Sequence, residues 1–266
     1  LGLASMFLVA QFWSYANDIY TEEQGKRLFA IIATGGSAGA IVGPRLTTLA
    51  DTYALLLVAV AMLLACLALF NLLERMQSAR APAAARTAAA PIAGPGGFAL
   101  VFRDRYLLAI AAMLLVANLV NSTGEYLLSN VATAHAATRV PATMFADLGG
   151  AAHDAAIAGA RREVIKDFYG TFFFWVNLSG FLIQALLVSR IIARVGVRAA
   201  LFVLPLVALG TYGAIGLVGG AALVRVAKVA ENATDYSLQN TVRQALFLPT
   251  SRAVKYQGTA AIDTFF

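Results

Sequence analysis

The feature that most constrains this chain is a series of unbroken apolar segments, each long enough to cross a lipid bilayer. Residues 53–73 contain no charged side chain, and comparable segments recur along the sequence. They lack the alternation of apolar and polar residues that is typical of barrel strands, so helices are predicted. Hydrophobic residues make up 60% of the chain and charged residues only 13%, unlike a soluble domain. We therefore predict an all-α, polytopic bundle of transmembrane helices that lies in a lipid bilayer.

The apolar segments predict about seven full or partial crossings, and a last one begins near the C-terminus. The chain starts at Leu1 and stops at Phe266 inside apolar runs, so we expect a fragment of a longer transporter. The predicted crossings are residues 1–15, 28–48, 53–73, 106–130, 168–188, 201–217 and 223–247.

The segments between the crossings divide the chain into three predicted parts. Residues 75–105 are rich in Ala, Pro, Arg and Gly, which predicts a cytoplasmic linker. It separates a first membrane half, residues 1–74, from a second, residues 106–266. Residues 130–167 are predicted as a polar loop with Ala-rich, interfacial helical pieces, and residues 190–198 as a tight basic loop. Most Lys and Arg residues then fall on one side, which the positive-inside rule makes cytoplasmic. We expect a multi-pass integral membrane protein.

Residues 223–247 are predicted to form a helix that carries an unusual number of charges for a crossing. At about 100° per residue, most of its polar side chains fall within one arc of roughly 100°. Glu231 lies just outside this arc. The rise from Arg225 to Arg243 is about 27 Å, close to the thickness of the hydrocarbon core. The polar stripe is therefore predicted to line an aqueous path, and its residues are Arg225, Lys228, Asn232, Asp235, Tyr236, Gln239 and Arg243.

Two hypotheses account for the cations of this stripe. In the first, Arg225 and Lys228 bind an anionic substrate, and replacing either by glutamine impairs transport but not stability. In the second, Glu231, Asp235 or Glu125 neutralises them and holds the bundle together, so that replacement destabilises the protein. We expect the first outcome.

Residues 106–130 add an intramembrane carboxylate, Glu125, on one face with Asn118. Such a group is costly in a membrane and usually faces a cavity or a partner; a glutamate satisfied by a neighbouring helix is the alternative.

His135 and His153 lie far apart without a ligand cluster, so no metal site and no cofactor is predicted. No catalytic set of histidine, cysteine and carboxylate lies at membrane depth, so an enzyme is not expected. The net charge of +6 does not indicate nucleic acid, because the basic residues lie in predicted loops.

An internal repeat points to a family. A turn that ends in Lys26 and Arg27 aligns with one that ends in Lys255, six predicted crossings later. Six-helix repeats around a cytoplasmic linker resemble the plan of the major facilitator superfamily. In that frame the chain covers helices 4 to 11 of two pseudo-repeat halves.

Several short motifs resemble one branch of that superfamily, the ATP/ADP translocase (nucleotide transporter) family, and its bacterial relatives in particular. They are residues 22–27 (EEQGKR), 168–177 (FYGTFFFWVN), 235–238 (DYSL), 244–249 (QALFLP) and 258–263 (GTAAID). The resemblance implies exchange or import of ATP, ADP and phosphate by alternating access, in a bacterial inner (plasma) membrane. Where the family carries an acidic and then a basic residue on helix 7, this chain has Asn121 and Glu125.

These observations leave three functions open. The first is exchange or import of nucleotides or a related anionic metabolite. The second is proton-coupled transport of another small solute, with Glu125, Glu231 or Asp235 carrying the proton. The third is a membrane scaffold or sensor that does not transport. The residues predicted to bind the substrate or line its path are Lys26, Arg27, Asn118, Glu125, Arg225, Lys228, Glu231, Asp235, Arg243 and Lys255.

Overall fold

A computed structural model describes residues 2–49, 52–80, 96–251 and 254–265, and every regular element in these ranges is helical. The predicted all-α class is therefore confirmed. The helices are α1 (Gly2–Ile19), α2 (Glu22–Leu49), α3 (Thr52–Arg80), α4 (Gly97–Arg103), α5 (Arg105–Arg139), α6 (Gly150–Ile183), α7 (Ser189–Ala200), α8 (Val203–Val218), α9 (Ala221–Thr234), α10 (Asn240–Ala245) and α11 (Thr259–Phe265).

Three π turns interrupt or precede these helices. They span Gln184–Val188 between α6 and α7, Asp235–Gln239 between α9 and α10, and Val254–Gly258 before α11. Because the second joins α9 to α10 without a break, Ala221–Ala245 forms one continuous helix, which we call the charged helix. The sequence predicted this helix within about two residues at either end.

Local sequence accounts for several helix ends. Thr21 and Gln24 form a reciprocal capping box at the start of α2, with bonds of 3.1 and 3.3 Å between side chain and backbone. Asp104 caps α5 by accepting from the backbone N–H of Tyr106 at 2.8 Å. Gly219 and Gly220 have φ of 69° and 99°, values that glycine adopts without strain. They turn the chain sharply between α8 and the charged helix.

Two predicted loops contain more helix than the sequence indicated. Residues 130–167 are mostly helical, because α5 continues to Arg139 and α6 begins at Gly150. Their alanine-rich sequence favours helix, and within residues 130–167 the one proline, which would end a helix, is Pro141. The predicted basic loop at 190–198 is also largely helix, and only Gly196, with φ of 77°, departs from helical geometry. Residues 81–95, most of the predicted linker, lie outside the described residues.

The chain divides into two compact units: one contains Leu1–Ala38 and Pro95–Phe266, and the other Gly39–Gly94. These bounds differ from those of the membrane halves predicted above, which stay a prediction. In the first unit the charged helix packs against α5, α6 and α8, and its C-terminal end reaches α1 and α7. The second unit is dominated by α3, whose side chains from Leu56 to Leu73 are all exposed.

Among the described residues, three helices are long and apolar enough to cross a membrane. They contain Leu56–Leu73, Arg105–Arg139 and Gly150–Ala200, and Arg27–Val42 and Val203–Val218 are shorter apolar helices. The charged helix is not in this set, so its crossing remains a prediction. An added Cβ at Gly35 or Gly39 would meet nothing within 4 Å. The four-residue spacing of Gly35, Gly39 and Gly43 predicts a close helix contact, which is not found at Gly35 or Gly39 within the described part of the chain.

Candidate functional site

A cavity of about 990 Å³ lies in the first unit between α5, α8 and the charged helix. Its volume is at the upper end of the range for small-molecule sites. Most of its wall is apolar and comes from α5 and α8. Its polar side chains are Asn118, Asn121, Tyr212, Glu231, Asp235, Tyr236, Gln239, Asn240 and Arg243.

The charged helix supplies two thirds of that polar set. Four of the seven predicted stripe residues line the cavity, namely Asp235, Tyr236, Gln239 and Arg243, whereas Arg225, Lys228 and Asn232 do not. Glu231, which the helical wheel put just outside the stripe, lines the cavity. Arg225, which the wheel put inside it, instead has its guanidinium 5.0 Å from the ring centroid of Phe168 on α6. This cation–π contact directs Arg225 away from the cavity.

A buried ion cluster lies behind the polar wall, centred on Lys228. Its side chain is only 1% exposed, and its Nζ lies 3.4 Å from Glu125 Oε1 and 3.2 Å from Glu231 Oε2. The same Nζ donates to Asn121 Oδ1 at 2.9 Å. The three donor positions of the ammonium group thus have three oxygen partners, which is the arrangement that a buried lysine requires.

Neighbouring groups complete the partners of the two carboxylates. The hydroxyl of Tyr212 donates to Glu231 Oε2 at 2.8 Å, and Asn232 Nδ2 donates to Glu125 Oε1 at 3.1 Å. The cluster therefore connects α5, α8 and α9. Lys228 does not line the cavity, and its surroundings match the second hypothesis for the cations, in which carboxylates neutralise them.

One glycine makes this close approach of helices feasible. A Cβ built on Gly124 of α5 would collide with the hydroxyl of Tyr212 and would lie 2.8 Å from Lys228 Nζ. A helix surface without a side chain at this point lets the lysine head reach Asn121 and Glu125. The Gly219–Gly220 turn then folds α8 back along α9, so that Tyr212 lies opposite Glu231.

The charges at the site do not cancel. Glu125, Glu231 and Asp235 provide three carboxylates, while Lys228 and Arg243 provide two cations. When all five are ionised, the cavity wall and the cluster together carry one excess negative charge. A proton or a bound cation would balance it.

The remaining predicted residues lie in other places. Asn118 lines the cavity. Arg27 is exposed on α2, and Lys26 belongs to the same helix but its side chain is outside the described residues. Lys255 Nζ donates to the backbone carbonyl of Asn17 at 2.6 Å, near the C-terminal end of α1, where a cation is favourable. Neither Arg27 nor Lys255 lines the cavity.

Sequence reasoning did not select Tyr212, Gln239 or Gly124 as site residues. Tyr212 is the one polar aromatic residue in an otherwise apolar helix, and that isolation was the available signal. Gln239 was placed on the stripe but not weighed as a ligand. Gly124 has no signal of its own, since its role depends on Lys228 being 104 positions away in sequence and adjacent in space.

The histidines do not form a metal site in the described residues. His135 packs against Phe168 with ring centroids 5.9 Å apart, and His153 contacts Asp154 and the carbonyl of Ala142. Within the described ranges, no three His, Cys, Asp or Glu side chains are grouped to hold a metal ion.

Comparison with known proteins adds no relative. No family model, no curated protein and no solved structure matches this chain.

Proposed function

We propose that this protein is a secondary membrane transporter that works by alternating access. Its solute would bind in the cavity beside the charged helix, and the Lys228 cluster would carry a coupling proton. The observation that supports this most is the placement of polar groups. A wall of charged and amide side chains faces a cavity of about 990 Å³, in a chain whose most apolar segment, Leu56–Leu73, has every side chain exposed. That combination suits a solute path inside a protein surrounded by lipid.

The excess negative charge supports coupling to protons. Two carboxylates, Glu125 and Glu231, share the single ammonium group of Lys228. Protonating one of them would leave a matched pair, whereas the unprotonated cluster needs another positive charge nearby. The other titratable or charged groups near it are Tyr212, Asp235, Tyr236 and Arg243. Glu125 is the better candidate for the exchanging group, because its side chain is 37% exposed and that of Glu231 is 5% exposed.

The test is uptake of labelled solutes by vesicles that contain the purified protein, with and without an imposed pH gradient. We expect Glu125→Gln to abolish uptake driven by the gradient while exchange at equal pH continues. Glu163→Gln is the matched control, since Glu163 pairs with Lys166 on an exposed surface. Unchanged pH dependence in the Glu125 variant would remove this residue from the coupling role. If no solute in a broad panel moves at all, the non-transporting scaffold becomes the better hypothesis.

Exchange of nucleotides or a related anionic metabolite is the second candidate. It is favoured by Arg243, which lines the cavity, and by the motifs that resemble the ATP/ADP translocase family. Vesicles preloaded with ATP would take up labelled ADP under this hypothesis. Competition by phosphate but not by other solutes would favour it over the first candidate.

A further inference from the structure

Gln239 is a buried amide whose acceptor atom has no partner. The residue is 5% exposed and lines the cavity, yet its Oε1 makes no hydrogen bond within the described part of the chain. Leaving a buried acceptor unpaired costs roughly 1–3 kcal/mol, and native proteins rarely tolerate it without a reason. A ligand that donates a hydrogen bond would supply the missing partner.

Asp235 presents a second acceptor to the same space. It begins the π turn that Gln239 ends, and residues four apart share a helix face. Its carboxylate lines the cavity and makes no hydrogen bond or close ion pair with any described residue, while the positive charges of Arg243 and Lys228 act on it at longer range. Glu231, one turn earlier, differs in this respect because it is held by Lys228 and Tyr212.

The rest of the wall restricts the ligand further. Tyr212 and Tyr236 present aromatic rings, which attract cations over their faces. The opposite walls are apolar and include Met113, Val116 and Leu209. A hydrated inorganic ion would leave these walls and most of the volume unused, whereas an organic group would fill them.

These features carry one inference about the solute. We propose that the cavity binds a solute with a protonated amine, its ammonium group donating to the Asp235 carboxylate and to Gln239 Oε1 and its apolar part lying against α5 and α8. This inference names the class of solute that the proposed transporter would carry. It rests on the proposed function in one respect, namely that the cavity is the transport site. The bound cation would balance the excess negative charge, so a solute cation and the coupling proton would compete.

The test uses four benzyl compounds of similar size with the purified protein in detergent: benzylamine, benzyl alcohol, benzoate and benzyltrimethylammonium. Equilibrium dialysis and the rise in melting temperature measure binding without requiring transport. Because a hydrogen bond to a charged partner is worth more than a neutral one, benzylamine should bind about tenfold or more tightly than the alcohol. Benzoate should bind weakest, and the trimethylammonium compound, which has no N–H donor, should fall between benzylamine and the alcohol.

Substitutions of Asp235 and Gln239 test whether these two residues bind the amine. Asp235→Asn should bring the affinity for benzylamine down to that for benzyl alcohol, and Gln239→Leu should lower it less, while Asp147→Asn, an exposed loop carboxylate, should change nothing. If Asp235→Asn does not fold, Gln239→Glu serves instead, because an added carboxylate should strengthen benzylamine binding. The proposal would be overturned by equal binding of the four compounds, by no binding of any of them, or by binding of sodium ions without binding of benzylamine.

Failure of this inference and failure of the proposed function give different results. Amine-selective binding in a protein whose vesicles move no solute would leave the ligand class standing and refute transport. Uptake of benzoate or ADP without any preference for amines would refute the ligand class and leave transport standing.

Discussion

Helix α3 exposes its apolar side chains, whereas the charged helix buries several of its polar ones. The first contains Leu56–Leu73, the most hydropathic window among the candidate spans, and none of it is buried. The charged helix carries Lys228, Glu231, Asn232 and Gln239, all at most 5% exposed. In a water-soluble fold these exposures would be exchanged, because burying an ion is costly and burying a leucine is favourable.

The contrast indicates what surrounds each helix. A helical surface made almost entirely of apolar side chains, such as Leu56–Leu73, suits a hydrocarbon solvent, because the backbone hydrogen bonds of a helix are already satisfied internally. Charged side chains in such surroundings need partners within the protein. The Lys228 cluster supplies them. Polar groups that face inward and apolar groups that face outward both fit the lipid surrounding that the sequence predicts.

The largest expected effect is the loss of stability when the buried Lys228 cluster is disrupted. Lys228→Met removes the cation that Glu125 and Glu231 share, and stranding buried charges costs about 3–5 kcal/mol. We expect a lower yield and a markedly lower melting temperature in detergent, followed by the fluorescence of Trp13 and Trp175. The sequence alone predicted that this position could be changed without loss of stability, and the burial of Lys228 reverses that expectation.

The control for this prediction is Lys166→Met. Lys166 and Glu163 also pair at i,i+3 but are 75% and 71% exposed, so the change should cost less than about 1 kcal/mol. Adding Glu125→Gln and Glu231→Gln to Lys228→Met should recover part of the loss. A Lys228→Met protein as stable as the parent would mean that the cluster does not hold the bundle together.

The next largest effect is on the membrane insertion of the exposed helix α3. Leu64→Lys places a charge at the middle of α3, where the side chain is 61% exposed. If α3 crosses a bilayer, insertion should lose about 2.5–3.5 kcal/mol, measured as the fraction of α3 that translocates a glycosylation tag across microsomes. Met76→Lys, near the end of the same helix, should be tolerated, because a lysine there can extend to the headgroups. Equal insertion of both variants would contradict a lipid surrounding for α3.

The smallest effect tests the contact between the helices of the cluster. Gly124→Ala adds a methyl group against the Tyr212 hydroxyl and Lys228 Nζ, and overpacking of this kind costs about 1–3 kcal/mol. Gly210→Ala on α8 is the matched control, since an added Cβ there meets nothing within 4 Å and alanine favours helix. We expect a lower melting temperature for the first variant and an equal or higher one for the second. The reverse order would show that α5 and α8 are not held together at this point.

The fold class and the main helices could be predicted from the sequence because hydropathy alone determines them. The charged helix was predicted over 223–247 and is found at Ala221–Ala245, and α3 begins one residue before its predicted start. Residues 130–167 contain more helix than the predicted loop with alanine-rich helical pieces, because alanine-rich polar segments favour helix over most of their length. The ends of α5 and α6 extend well beyond the length that a bilayer requires.

The candidate site was predictable in composition but not in geometry. A polar stripe with Glu125 nearby indicated that ions meet inside the bundle. Which of them meet could not be derived, because it depends on the glycine at 124 and on the turn that brings Tyr212 to Glu231. A single helical period also does not say which way each side chain of the charged helix faces: Arg225 contacts Phe168 and Glu231 lines the cavity, although both precede the π turn.

That single period fails at the π turn Asp235–Gln239, which holds one residue more than an α-helical turn. The charged helix is thus equivalent to a regular helix that has absorbed a one-residue insertion. Residues on the two sides of the turn follow different registers, offset by about 100°. Deleting one residue here would keep every residue type of the polar wall except the deleted one. It would nevertheless rotate Arg243 away from Asp235 and separate the cavity's cation from its unpaired carboxylate.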